Sequence, residues 1–246
     1  MNDLEGPALW RVSAFDAHRS AAAGAALNDL RRTTVVSTTL QAELRLLDRR
    51  RASTDALEVL ATCLRLRESA LVYLQCSEGV WPITMFPDQM IYHSPRSLLR
   101  GSVRALGSLA VIEVEAPGVR PPGHWMHERI ANAEAYRPLA PALWALALQG
   151  PRIELLNEIS GSAAYRALRN PALQDLPTPG ALGPAVERLR KASAPLRTIA
   201  QWPGMSAERA SRLVNALYLT SNVIVSRTHP AARPGVLEWF MALRGR

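Results

Sequence analysis

Arg197, Arg209, Arg212 and Arg227, with Asn215 one helical turn beyond Arg212, are the side chains best suited to grip a partner. Guanidinium groups bind phosphates and carboxylates through paired hydrogen bonds, and an asparagine amide can pair with a base edge. All five lie in one stretch, "PLRTIAQWPGMSAERASRLVNALYLTSNVIVSRTHP", Pro195 to Pro230. It reads as a short helix, a Pro-Gly turn, a longer helix capped by Ser206, and a β-branched strand. That order predicts a winged helix-turn-helix. Ala210, Leu213, Val214 and Leu217 form an apolar stripe on the longer helix, and Glu208, Ser211, Arg212 and Asn215 fall on the opposite face. On DNA, Arg209 and Arg212 would reach bases or phosphates, Asn215 a base edge, and Arg197 and Arg227 phosphates. Arg227 and His229 would sit near a wing tip. Two features favour a protein partner instead. Glu208 places a negative charge on the presented face, and the helix runs on into Tyr218 and Leu219, which do not read a groove.

Other residues with chemical potential are sparser. "GHWMHE" brings His124, His127 and Glu128 close in sequence, but HExxH is absent and Gly123 with two prolines predicts a loop. Cys63 and Cys76 lack metal-ligand spacing and read as reduced thiols. Glu113 and Glu115 share a strand face and read as a solvated edge. There is no GxGxxG, no GxxxxGK[ST] and no GxSxG. The expectation is a protein without catalytic residues, cofactor or metal.

Charge is unevenly placed. The 246-residue chain carries a net +8, and from Ala185 to the end ten basic residues face three acidic ones. A basic segment beside a neutral one is the footprint of a module for nucleic acid or for an acidic partner. Lys191 is the only lysine, an arginine bias that a GC-rich bacterial genome would produce unaided. No apolar run approaches the ~20 residues of a membrane span, and "MNDLEGPALWRV" lacks a signal-peptide core. A cytoplasmic protein with no membrane partner is expected. The oligomeric state is left open, a homodimer included.

These residues need a scaffold. "ALWRVSAF" predicts a strand, "DAHRSAAAGAALNDLRR" a helix, "TTVVSTT" a strand, and "LQAELRLLDRR" and "STDALEVLATCLRLR" two helices. "SALVYLQCSEGVWPITMFPDQMIYHS" predicts three strands, Ala70–Gln75, Val80–Phe86 and Gln89–His93, as an antiparallel meander. Its prolines predict an edge or bulged strand, and an open edge could add a partner's strand. "PRSLLRGSVRALG" reads as helical and "SLAVIEVEA" as a further strand. From His127 the pattern is helical, with "PRIELLNEISGSAAYRALRN" as two short helices and residues 171–184 as a linker.

The class expected is α+β. Residues 1–120 form an α/β sensor-like domain with a small mixed sheet, 121–170 a helical segment packed on it, and 182–246 a winged-helix-like domain. "ALVYLQCSEGVWPITMFPDQMIYHSPRSLL" resembles the strand–turn–strand–helix unit of PatA-like regulatory domains of bacterial response regulators and motility signalling proteins. "PLRTIAQWPGMSAERASRLVNALYLTSNVIV" is similar to the helical tail that follows it there. The resemblance covers about half the chain. It implies a signalling adaptor that works through protein contacts and has no catalytic residues.

Overall fold

The β-branched and aromatic runs after residue 70 form the centre of the first unit. The structure is a computed structural model and describes residues 9–17, 20, 36–170 and 175–228. The chain divides into two compact units, Met1–Pro151 and Arg152–Arg246. Helices and antiparallel sheets together make the class α+β.

In the first unit Ser37 caps α1 (Thr38–Arg49) and Asp55 caps α2 (Ala56–Leu66). The Asp55 carboxylate accepts from the backbone N–H of Leu57 at 2.9 Å and of Glu58 at 3.2 Å, satisfying two donors that a helix start leaves unpaired. Every residue of α2 from Ala56 to Cys63 is buried, because α1 and the sheet both pack on it. The sheet follows as β1 (Ala70–Cys76), β2 (Gly79–Phe86) and β3 (Ile91–His93). After them come α3 (Val103–Leu106), β4 (Ala110–Glu115) and β5 (Tyr136–Pro138), in the order β4-β1-β2-β3-β5. α4 (Leu139–Gln149) closes the unit, and Trp144 and Trp81 are among its most buried side chains.

The expected meander is present, with local differences. All ladders in the sheet are antiparallel, so it is not mixed. β2 is an interior strand rather than an edge. Pro82 is tolerated because the three-residue β3 pairs only with Thr84 to Phe86, leaving Pro82 beyond that ladder. Its carbonyl accepts from the Ser94 hydroxyl at 3.0 Å, so that flank offers no open edge. Residues 12–17 are helical where a strand is expected, and Trp10 pairs with Val80 as an isolated bridge outside the named strands. Thr38 and Thr39 open α1 instead of ending a strand. Most of the helix expected over 16–32 lies outside the described residues. "PRSLLRGSVRALG" is a 3-10 turn, Leu98–Arg100, and the four-residue α3, separated at Gly101 and Ser102.

The second unit begins ahead of the proline-rich stretch. Residues 152–170 hold a 3-10 turn, Asn157–Ile159, and a strand, β6 (Ala164–Ala167), rather than two helices. Tyr165 and Ala167 point into the core while Arg166 is exposed, the period of a strand. Then come α5 (Leu182–Lys191), β7 (Ala194–Pro195), α6 (Leu196–Ala200), α7 (Ala207–Leu219) and β8 (Val223–Ser226). The sheet order is β7-β6-β8, so a strand from before α5 joins the two strands that flank the α6–α7 pair. The Tyr165 hydroxyl donates to the Ile159 carbonyl at 2.7 Å and holds the turn before β6 against the core.

Candidate functional site

The α6–α7 pair carries four of the five residues singled out from sequence. The Ser206 hydroxyl caps α7 by accepting from the Arg209 backbone N–H. Ala210, Leu213, Val214 and Leu217 are all fully buried, as their spacing requires. The opposite face is a different matter. Ser211 and Asn215 are buried too, with Asn215 at 0% exposure. The Asn215 amide donates to the Glu154 carbonyl at 2.8 Å, and its oxygen accepts from the Leu156 N–H at 3.0 Å. Asn215 therefore cannot reach a base edge: both ends of its amide are spent on the chain that precedes β6.

The arginines fall into two groups. Arg209 is exposed on the first turn of α7 and donates to the Gly204 carbonyl at 2.6 Å. Arg212 is ion-paired with Glu208 at 2.8 Å, with only 15% of its side chain exposed. The charge that Arg212 would bring is thus largely balanced. Arg197 is exposed on α6. Arg227 lies apart from these. Its guanidinium donates to the Ser160 and Glu158 carbonyls at 2.8 and 2.9 Å. The antiparallel pairing of Ser226 with Ala164 brings the end of β8 to the start of β6, so Arg227 fastens that turn rather than standing at a wing tip. His229 lies outside the described residues.

A further residue joins the site. The Arg188 guanidinium lies 5.6 Å from the Trp202 ring centroid, a cation–π distance. Arg188 and Arg209 thus both touch the 202–204 turn between α6 and α7. Nothing in local spacing links residue 188 to residue 202; the only prior signal is the basic end of α5, Arg188, Arg190 and Lys191. Gly204 sits in that turn at φ +75°, and a Cβ there would meet the Ala181 Cβ at 2.8 Å.

The other candidates do not converge. His124 Nδ1 accepts from the Met126 N–H at 3.1 Å, its ring stacks on Trp125, and His127 is exposed on a 3-10 turn. Among the described residues no three His, Cys, Asp or Glu side chains gather to hold a metal ion. His93 is half-buried against Tyr136, and burial, with the Arg137 charge behind it, keeps its pKa below the usual range. The Tyr73 hydroxyl donates to Glu115 at 3.2 Å, and burial, with that carboxylate and Glu113, raises the phenol's pKa. Cys63 and Cys76 are both free and buried, and burial pushes the Cys63 thiol up to about 12. A thiol so shielded is inert. No described helix is long and apolar enough to cross a membrane.

Compared with known proteins, the chain matches no family model, no curated protein and no solved structure.

Proposed function

We propose that this chain is a bacterial cytoplasmic regulatory or adaptor protein that binds another protein and has no catalytic role. The proposed contact surface is the basic rim of the α6–α7 turn, where Arg188, Arg197 and Arg209 are exposed. The observation that carries this reading is the burial of Asn215. A helix that reads a major groove must present side chains along its length. Beyond Arg212, every residue of α7 except the half-buried Tyr218 is buried. The resemblance to PatA-like regulatory domains points the same way, and we read the second unit as winged-helix-like in shape.

The alternative, a DNA-binding transcriptional regulator, draws on the charge: ten basic against three acidic residues after residue 184. The two readings separate on salt. A DNA binder that neutralises several phosphates binds mixed-sequence duplex tightly at about 50 mM salt and loses affinity steeply as salt rises. An adaptor shows no such binding. Duplex binding whose salt slope falls on Arg209→Ala plus Arg212→Ala would overturn the adaptor reading. Under it, full-length chain captures a specific host protein, and Arg188→Ala plus Arg209→Ala abolishes that capture.

A further inference from the structure

The turn between β3 and β4 displays apolar surface on a fixed support. Leu99 is 54% exposed and Val103 72% exposed, on a 3-10 turn and the first residue of α3. Surface leucines and valines are ordinary when scattered singly; Leu99 and Val103 lie on one short segment that side-chain hydrogen bonds hold in place. Leu98, Ala105 and Leu106, near them in sequence, are buried. The Leu98 N–H donates to the Tyr92 hydroxyl at 3.2 Å. Ser102 caps α3 and donates to Glu78 Oε1 at 2.7 Å, while Arg96 pairs with Glu78 Oε2 at 2.9 Å and also donates to the Arg100 carbonyl. Gly101 lies against the Trp81 ring, where a Cβ would come within 3.1 Å of it. The Arg96 guanidinium stands over the same ring at 5.5 Å.

The flanking charge is one-sided. Arg100 and Arg104 are exposed, and neither belongs to an ion pair seen among the described residues. The one acid bonded into the turn, Glu78, is held by Arg96 and Ser102. We propose that the 98–104 turn is a docking surface for a protein segment whose large apolar side chains are flanked by carboxylates. Leu99 and Val103 would supply the apolar contact, and Arg100 and Arg104 the ion pairs. Because the turn is already fixed, little ordering cost is left to binding. A lipid surface is a poorer fit, since membrane-surface helices present a long apolar face and α3 is a single turn. The proposal rests on the first unit alone.

The test uses full-length chain and a fluorescein-labelled helical peptide with leucines at i and i+4 flanked by glutamates. A control peptide carries lysines in place of the glutamates. Anisotropy should show binding of the glutamate peptide that weakens from about 50 to about 500 mM salt, and binding of the lysine peptide at least about tenfold weaker. Leu99→Ser plus Val103→Ser, and separately Arg100→Glu plus Arg104→Glu, should each cost about tenfold or more in affinity without changing Tm, since the sites are exposed. Ser102→Ala should weaken binding with both apolar side chains in place. No binding of the glutamate peptide, or equal binding by wild type and both double variants, overturns the proposal. So does a result in which the variants change only sedimentation of the chain or its pelleting with anionic vesicles.

Discussion

Asn215 holds Leu156 from a distance of 59 residues in sequence: its side-chain oxygen accepts the buried Leu156 N–H at 3.0 Å. The same amide donates to the Glu154 carbonyl, so one side chain replaces water for two backbone groups of an irregular segment. This contact ties the chain before β6 to the face of α7 that the sequence presents as polar.

Removing that amide leaves a buried donor unpaired. Asn215→Leu should lower stability by about 1–3 kcal/mol, read as a drop in the urea midpoint with an unchanged slope. Asn215→Asp keeps the acceptor for Leu156 but loses the donor to Glu154 and adds a buried charge, so it should be at least as damaging. If both variants unfold like wild type, the clamp is not a structural contact.

Gly204 makes a similar test at the α6–α7 turn. At φ +75°, with Ala181 already 2.8 Å from where a Cβ would stand, Gly204→Ala combines a left-handed backbone with a steric clash. The backbone term alone costs about 1–2 kcal/mol. Thermal melts should show a clear loss of Tm, larger than that of Gly123→Ala, where the surrounding space is open. Equal losses would mean that the packing against Ala181 contributes nothing.

Glu78 gives a pH signature to the 98–104 turn. The Ser102 hydroxyl, with Arg96 behind it, holds the Glu78 carboxyl below its ordinary 4.5 against partial burial. A carboxylate with a lowered folded pKa stabilises the fold above its unfolded value, and that contribution is lost as pH falls through the folded value. Wild-type stability should therefore fall more steeply below about pH 4.5 than that of Glu78→Gln, whose amide does not titrate. Since the pair is partly solvated, the difference will be small. It should be measured as the acid-side slope of Tm against pH. Parallel slopes would remove Glu78 from the account of how the turn is held.

Cys63 offers a chemical test of the first unit's core. Its thiol is pushed up from 9.0 to about 12 by burial. At pH 8 the native chain should react with a thiol-specific disulfide reagent at both cysteines far more slowly than denatured chain. A raised folded pKa also means that Cys63 favours the fold below pH 9 and that this contribution is lost between about pH 9 and 12. Cys63→Ala should flatten that alkaline decline. Fast native labelling at Cys63 would show that the core around α2 opens readily.

Much of this molecule was legible from local pattern. Alternation of large apolar residues with turn residues at Ser77–Glu78 and Pro87–Asp88 marks β1, β2 and β3, and the Ser206 cap with the Ala210–Leu213–Val214–Leu217 stripe marks α7. These features follow from the two- and 3.6-residue periods of strands and helices, which any stretch carries within itself. Residues 152–170 have a helical pattern in sequence because the small side chains around Ala163 and Ala164 fit a helix as well as a strand. What makes β6 a strand is its pairing with β7 and β8, supplied 30 and 60 residues later.

The same limit governs the site. An apolar stripe announces which side of α7 is buried, but a polar side chain is buried only when distant backbone completes its hydrogen bonds. Asn215 looks outward in the helical pattern and is inward in the fold because Glu154 and Leu156 meet it there. Arg188 stays exposed yet reaches Trp202, and Arg227 the 158–160 turn, only because the fold brings together chain that is distant in sequence. Composition and spacing determined β1, β2, β3 and α7, the Ser206 cap and the basic bias of the second unit. Tertiary packing alone decided which of those charges remain exposed, because exposure belongs to what the rest of the chain leaves uncovered.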